Sequence, residues 1–380
     1  MCEQQKHTVL PQVPALDGVR GLSVLFVAFS HFPLAIGALY YNSVWKFSNA
    51  LRLSYIFLDF FFLLSGFLIT RILLSEKVRT GTISFSNFYF RRTLRIFPIY
   101  YLAALACGLI FQLSPTVRLS LLTYTYNFLL PFHPTPMPLE QTWSLAVEEQ
   151  FYLIWPMVIL FVPTMALSRV TGLIVPLTAI AAGLALSVWA GTGDQLFSGN
   201  LVYMSTFTRM MSLSFGAWLA VREYEKRPIS ASSSVILILC GLSLLGLDRF
   251  GRSSEIIASQ GTYWTIALMG YSSIGVAVIG TILFNHSRFG DLLRLVLSFA
   301  PLRGIGRISY GLYLYHLPVL FYFGLNDAVM QGGQAPIAVV ALAAVVIFTI
   351  SIVSYLAIEK PLLRLRGKSD KGRLKPTAAE

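Results

Sequence analysis

The chain has 380 residues, 56% of them hydrophobic and only 12% charged, with a net charge of +12. A soluble globular chain carries about 25% charged residues, so this one lacks the polar surface that water demands. With a mean hydropathy of +0.68, the composition excludes a soluble enzyme and reads as one polytopic membrane bundle.

A membrane-spanning helix needs about 20 predominantly apolar residues. Taken in chain order, the runs that meet this are residues 22–41, 55–74, 96–113, 143–162, 171–190, 203–221, 233–247, 263–284, 308–325 and 335–358. Residues 119–130 read as a re-entrant segment, and the proline-rich stretch 131–138 as a stiff, extended loop. The start reads as uncleaved. The expected fold is an all-α membrane protein, a bundle of about ten transmembrane helices with both termini cytoplasmic. Residues 1–360 form the helical domain, and 361–380 form a basic tail expected to be disordered.

The distribution of charge gives the bundle its direction. With both ends inside, 23 of the 29 basic residues fall on inner segments, as the positive-inside rule requires. The six exceptions are Lys46, Arg52, Arg118, Arg209, Arg249 and Arg252. The excess positive charge is therefore a topology signal and an attraction for anionic lipid, and no nucleic-acid partner is expected. Three cysteines make no disulfide framework, and no metal-ligand spacing, P-loop or dinucleotide motif is found.

Ionisable side chains inside a span cost roughly 2.5–3.5 kcal/mol on insertion scales, so each needs a reason. In the first span Asp17 and Arg20 stand three apart and share a face. Arg20 and His31 are eleven apart, three helical turns, which sets His31 roughly 16 Å above Arg20 near mid-membrane. That pairing suits a long ligand, anionic at one end and reactive at the other. His31 has a plainer reading as a polar ring bonded to a helix carbonyl.

Arg91, Arg92 and Arg95 stand at the mouth of the third span, with Arg92 and Arg95 spaced to hold one phosphate. Ordinary positive-inside anchoring is the alternative. Glu148 and Glu149 lie a turn inside the fourth span, about 100° apart, so one of them is expected to face a site. Arg209 in the sixth span reads as a counter-ion to one of these acids, and Asp59 as an acid paired within the bundle. Tyr310, Tyr313, Tyr315 and His316 in the ninth span supply hydroxyls and rings suited to a carbohydrate, or to belt and packing roles, and Tyr152 in the fourth span suits an aromatic belt.

On these residues the sequence resembles the membrane-bound acyltransferase family 3, the integral-membrane sugar O-acyltransferases of bacteria. The matching pieces are Leu16-Asp17-Gly18-Val19-Arg20-Gly21 with His31, and the stretch from Asp59 to Phe67. Arg91-Arg92-Thr93-Leu94-Arg95 and Trp143-Ser144-Leu145 with Glu148 follow, then Ile308 to His316 and Ile358-Glu359-Lys360-Pro361. The resemblance implies ten helices in a bacterial cytoplasmic (inner) membrane and transfer of an acyl group, usually acetyl, from acyl-coenzyme A. The acceptor would be a hydroxyl of an envelope glycan, a lipid-linked sugar or an exported small molecule. It also implies His31 as the essential histidine with Arg20 as its partner, Arg92 and Arg95 as the family's arginine pair and Glu148 as the motif's acid. The roles expected of them are general base for His31, coenzyme binding for Arg20, Arg92 and Arg95 (with Asp17 beside Arg20), and orienting the histidine or binding acceptor hydroxyls for Glu148. Tyr152, Arg209, Tyr313 and His316 would then touch the acceptor. No permanently bound cofactor is expected. Some members carry an SGNH esterase-like domain, and this chain reads as the form without it. The rival readings from other classes are a secondary transporter or glycolipid flippase, and a non-catalytic assembly subunit.

Overall fold

A computed structural model of the chain describes residues 12–32, 52–133, 137–191, 193–254, 259–325 and 335–364. Every regular element among them is helical. Helix α1 is Pro14–Ser30, α2 Leu53–Thr80, α3 Phe85–Ile110, α4 Pro115–Leu122 and α5 Tyr126–Leu129. Then come α6, Trp143–Phe161, and α7, Thr164–Ala190. The series continues with α8, Gln195–Met204, α9, Thr206–Tyr224, α10, Ala231–Ser254, and α11, Gln260–Phe284. The last four are α12, Arg288–Leu297, α13, Ala300–Arg307, α14, Ser309–Tyr322, and α15, Ile337–Ser354.

Seven of the described helices are long and apolar enough to cross a membrane. They coincide with seven of the ten expected spans. The other three expected spans fall on α1, α9 and α14. These are shorter or more polar, and all three carry groups that the interior uses: Arg20, Arg209 and His316. Phe161, Met165 and Val188 are exposed on the outside of the bundle, as lipid-facing side chains are.

The first span departs most from expectation. Helix α1 starts with proline at its first position, which suits a helix start, and stops at Ser30 with His31 as its C-cap. Pro33 lies just beyond and can neither donate to the preceding turn nor let residue 32 stay helical. His31 thus stands at the end of its helix and not in its middle, and residues 33–41 of that expected span lie outside the described residues. The expected re-entrant stretch is a chain of broken pieces, α4, α5 and a 3-10 turn at Leu130–Phe132. That turn replaces the start of the expected extended loop, and residues 134–136 lie outside the described residues. At the C-terminus the helix persists to Arg364, into the first residues of the expected tail, and residues 365–380 lie outside the described residues.

Two wide π-turns, Val170–Ile174 and Tyr355–Glu359, each come two residues before a proline, Pro176 and Pro361. A proline ring collides with the carbonyl four residues back, and a widened turn relieves that collision without ending the helix.

Helices α2 and α9 run side by side, and their contact fixes the interior. A Cβ on Gly66 would overlap the Leu213 carbonyl, and one on Gly216 would overlap the Leu63 carbonyl. The two backbones therefore approach through reciprocal glycines, as membrane helices do where dispersion and not hydrophobicity holds them together. At one end Arg71 closes the pair with two bonds to Glu223, 2.7 and 2.9 Å. Near the other end Arg209 meets Asp59 at 3.2 Å, with both side chains buried. Lys77 of α2 donates to the Ile159 and Val162 carbonyls, placing a cation on the negative end of α6.

Candidate functional site

Two of the bundle's cavities hold most of the expected site residues. The first, of about 220 Å³, is walled by α1, α2, α3, α6 and α14. Arg20, Arg92 and Arg95 line it together with Glu148, Glu149 and Tyr152. Arg92 and Arg95 come from one face of α3, three residues apart, and the Arg92 guanidinium stands 5.6 Å from the Tyr152 ring centre. Glu148 accepts from Ser65 at 2.8 Å and from Tyr152 at 3.2 Å, which fixes its carboxylate against the α2 wall. Arg20 lies within electrostatic reach of Arg95, Asp17, Tyr152 and Glu148. A chamber with three guanidiniums and two carboxylates on its wall is chemically suited to an anion beside a polar, hydroxyl-bearing surface.

The second cavity, of about 240 Å³, lies toward the other end of α1. His31, Glu140, Asn200, Tyr203 and Trp264 line it. The His31 ring nitrogen Nδ1 is 2.9 Å from the Val27 carbonyl oxygen. A carbonyl only accepts, so Nδ1 carries the hydrogen and Nε2 keeps a lone pair in the neutral ring. His316 repeats the device: its Nδ1 is 2.7 Å from the Tyr313 carbonyl, and its buried Nε2 has no hydrogen-bond partner among the described residues.

Leu58 and Tyr313 line both cavities. The Tyr313 hydroxyl lies 2.6 Å from Ser144 Oγ and donates to the Gln141 carbonyl at 2.9 Å. Gln141 in turn donates to the Leu314 carbonyl at 2.9 Å, which braces the neck between the chambers.

The structure brings Arg20, Arg92, Arg95, Glu148 and Tyr152 into one chamber, with Tyr313 at its neck. Asp17 stays beside Arg20 but off the chamber wall. His31 does not share a chamber with Arg20, because it stands a further three turns along α1, at the helix C-cap. Glu148 does not reach His31; the Val27 carbonyl orients that ring instead. Both adjacent glutamates line the chamber, which is broad enough to take side chains 100° apart. His316 packs behind His31 rather than on the cavity wall. Arg209 is sealed away from both cavities: it pairs with Asp59 and not with either glutamate. Its guanidinium also donates to the Tyr203 carbonyl at 2.7 Å and stacks 4.1 Å from the Tyr203 ring centre. Asp59 accepts further from Ser212 at 2.6 Å and Ser272 at 3.1 Å.

Several lining residues went unread. Ser65 sits inside the quoted Asp59–Phe67 stretch, and Glu140 stands just ahead of Trp143-Ser144-Leu145, so both had a local signal. Asn200, Tyr203 and Trp264 had none, since only the crossing of α8 and α11 brings them to His31.

Comparison with known proteins identifies the family. A family model described as an acyltransferase domain matches residues 13–356. The chain is 31% identical over 378 residues to the putative peptidoglycan O-acetyltransferase YrhL of Bacillus subtilis, covering 92% of this chain and 55% of that protein. It is 30% identical over 382 residues to the peptidoglycan O-acetyltransferase OatA of Listeria monocytogenes, covering 92% and 56%. The O-acetyltransferase OatA of Staphylococcus aureus is 29% identical over 373 residues, covering 92% and 57%. The chain thus spans a little over half the length of these curated relatives. No solved structure matches it. With the family model covering nearly the whole bundle, including both chambers and the neck between them, the chain belongs to this acyltransferase family.

Proposed function

We propose that this protein is an integral-membrane O-acyltransferase that moves an acyl group, most simply acetyl, from acyl-coenzyme A to a hydroxyl of an envelope glycan. The observation that carries the reading is the pair of neighbouring chambers that share Leu58 and Tyr313 as wall residues, one lined by arginines and the other by a histidine with a free lone pair. The relatives' printed activity, acetyl transfer to peptidoglycan, supports a glycan acceptor.

In this scheme the bundle crosses the cytoplasmic membrane ten times with both termini inside. The arginine chamber then opens to the cytoplasm, where phosphates of the coenzyme meet Arg20, Arg92 and Arg95. The thioester lies at the Tyr313 neck. An acceptor hydroxyl enters from the other side, among Glu140, Asn200 and Trp264. His31 Nε2 takes the hydroxyl proton as the oxygen attacks the thioester carbonyl. The C–S bond breaks, the sulfur takes a proton from the imidazolium, and the free thiol and the ester leave on opposite sides. Glu148, held by Ser65 and Tyr152, fixes the shape of the donor chamber and is not the partner of His31.

The test is transfer of labelled acetyl from acetyl-coenzyme A to envelope material, in membranes holding the chain or its His31→Ala form at matched abundance. Label that depends on His31 is expected. Equal incorporation in both would remove His31 from the chemistry. Substrate-driven ion flux without label transfer would favour a transporter instead.

A further inference from the structure

A third cavity, of about 510 Å³, lies on the far side of α2 from His31, between α1, α2, α10, α11 and α12. Its walls are almost wholly apolar, with Phe57, Phe60, Leu242 and Leu297 among them, and two of its lining residues are arginines, Arg52 and Arg249. Both arginines belong to the end of the bundle opposite Arg92 and Arg95. From Arg52 the α2 wall descends eight residues to Phe60, about 12 Å at the helical rise.

The charge at this mouth is out of place. Arg52, Arg249 and Arg252 are three of the six basic residues on the side that the positive-inside rule leaves poor in cations. Asp248 is the carboxylate among them, buried between Arg52 Nη2 at 2.8 Å and Arg252 Nε at 2.7 Å. Three cations thus meet one anion among the described residues. Arg52 and Arg249 line the cavity and Arg249 is exposed, whereas Arg252 stands off its wall, held by Asp248. Cations held at the end of an apolar slot fit a molecule with an anionic head and a long hydrocarbon chain.

We infer that this cavity is a binding site for an anionic phospholipid of the leaflet on the His31 side, its phosphate against Arg249 and Arg52 and an acyl chain in the slot. A bilayer phospholipid is the occupant of choice because the slot is open to lipid along α10, where Leu242 and Gly246 are exposed. The inference rests on the cavity and its charge alone and stands whether or not the chain transfers acyl groups.

Gly246 offers a clean way to close the slot. A Cβ there meets nothing within 4 Å, so a larger side chain enters open space without displacing backbone. The test uses the full chain purified in detergent, with native mass spectrometry and thermal unfolding in the presence of phosphatidylglycerol, phosphatidylcholine or diacylglycerol. The wild-type chain is expected to retain one phosphatidylglycerol and to be stabilised by it more than by either of the others. Arg249→Ala should weaken that binding about five-fold, the worth of one basic contact to an anionic lipid surface. Gly246→Phe should abolish it while leaving lipid-free unfolding unchanged or higher, which separates lost binding from lost folding. Binding that survives Gly246→Phe, or that ignores Arg249→Ala, overturns the site. Co-purification of a phosphate-linked isoprenoid in place of phospholipid overturns the assigned occupant.

Discussion

The imidazole rings of His31 and His316 lie with their centroids 5.1 Å apart and their planes at 48°. Each donates Nδ1–H to a helix carbonyl, and each is left with an Nε2 lone pair. One ring faces the cavity and the other is wholly buried behind it. The rear ring packs against the front one, off the cavity wall.

From this pair a difference in kind is expected. His31→Ala should lower acyl transfer by about 10²–10⁴-fold, the usual worth of a general base. His316→Phe keeps a ring of similar shape and loses the anchor on Tyr313. It should reduce kcat by on the order of 10-fold through misplacement of His31, with KM little changed. Initial rates across acceptor concentration separate the two, and an unchanged kcat in His316→Phe would leave the rear ring a packing residue.

Donor binding should depend on the other chamber. Arg95→Gln and Arg20→Gln are each expected to weaken acyl-coenzyme A binding about 10–100-fold, the range for a hydrogen bond to a charged group. His31→Ala should bind the donor as the wild type does. Calorimetric titration of the three purified variants is decisive, because equal loss in all of them would contradict a separation into two chambers.

The buried Asp59–Arg209 pair holds α2 against α9, and its removal should be asymmetric. Asp59→Asn leaves a buried guanidinium uncompensated and is expected to destabilise by about 3–5 kcal/mol. The double change Asp59→Leu with Arg209→Met should be much milder, since neither charge then remains buried. Thermal unfolding in detergent reads this directly. A double variant as unstable as Asp59→Asn would mean that the surrounding bonds to Ser212, Ser272 and Tyr203 carry the contact.

Close approach of the same two helices should make Gly66 intolerant of any side chain. Gly66→Ala sets a methyl into the Leu213 carbonyl and should cost about 1–3 kcal/mol through overpacking. Gly246→Ala, in open space, should be neutral or stabilising by the helix propensity of alanine. The contrast between two identical substitutions is the measurement, and similar melting temperatures would remove the glycine contact as a determinant.

Much of the arginine-lined chamber was legible from local pattern. Arg92 and Arg95 follow from helical spacing, and Glu148 stood out because a carboxylate inside a span demands a reason. Periodicity failed at His31, where the count of turns from Arg20 was right but the helix was assumed to continue past Pro33. It failed again at Glu149, since an angle of 100° excludes a second side chain only from a narrow site. Arg209 illustrates the wider limit. Its partner Asp59 is 150 positions away, and two adjacent glutamates offered a nearer but wrong counter-charge. Which helices cross is a matter of tertiary packing, and the glycines that decide it are indistinguishable in sequence from glycines that face open space.

The neck formed by Leu58 and Tyr313 has an electrical consequence. Where a wet chamber enters the bundle from each side, most of the membrane voltage drops across the dry layer between them. One elementary charge crossing 100 mV exchanges about 2.3 kcal/mol with the field. A proton released at His31 and consumed on the thiol side would pass through that layer, so the rate of a turnover that splits its products across the neck would respond to membrane potential. Shortening Leu58 or Tyr313 would then loosen the chemistry and the insulation together, and a leak of protons in proteoliposomes would reveal the second effect even where the first is slight.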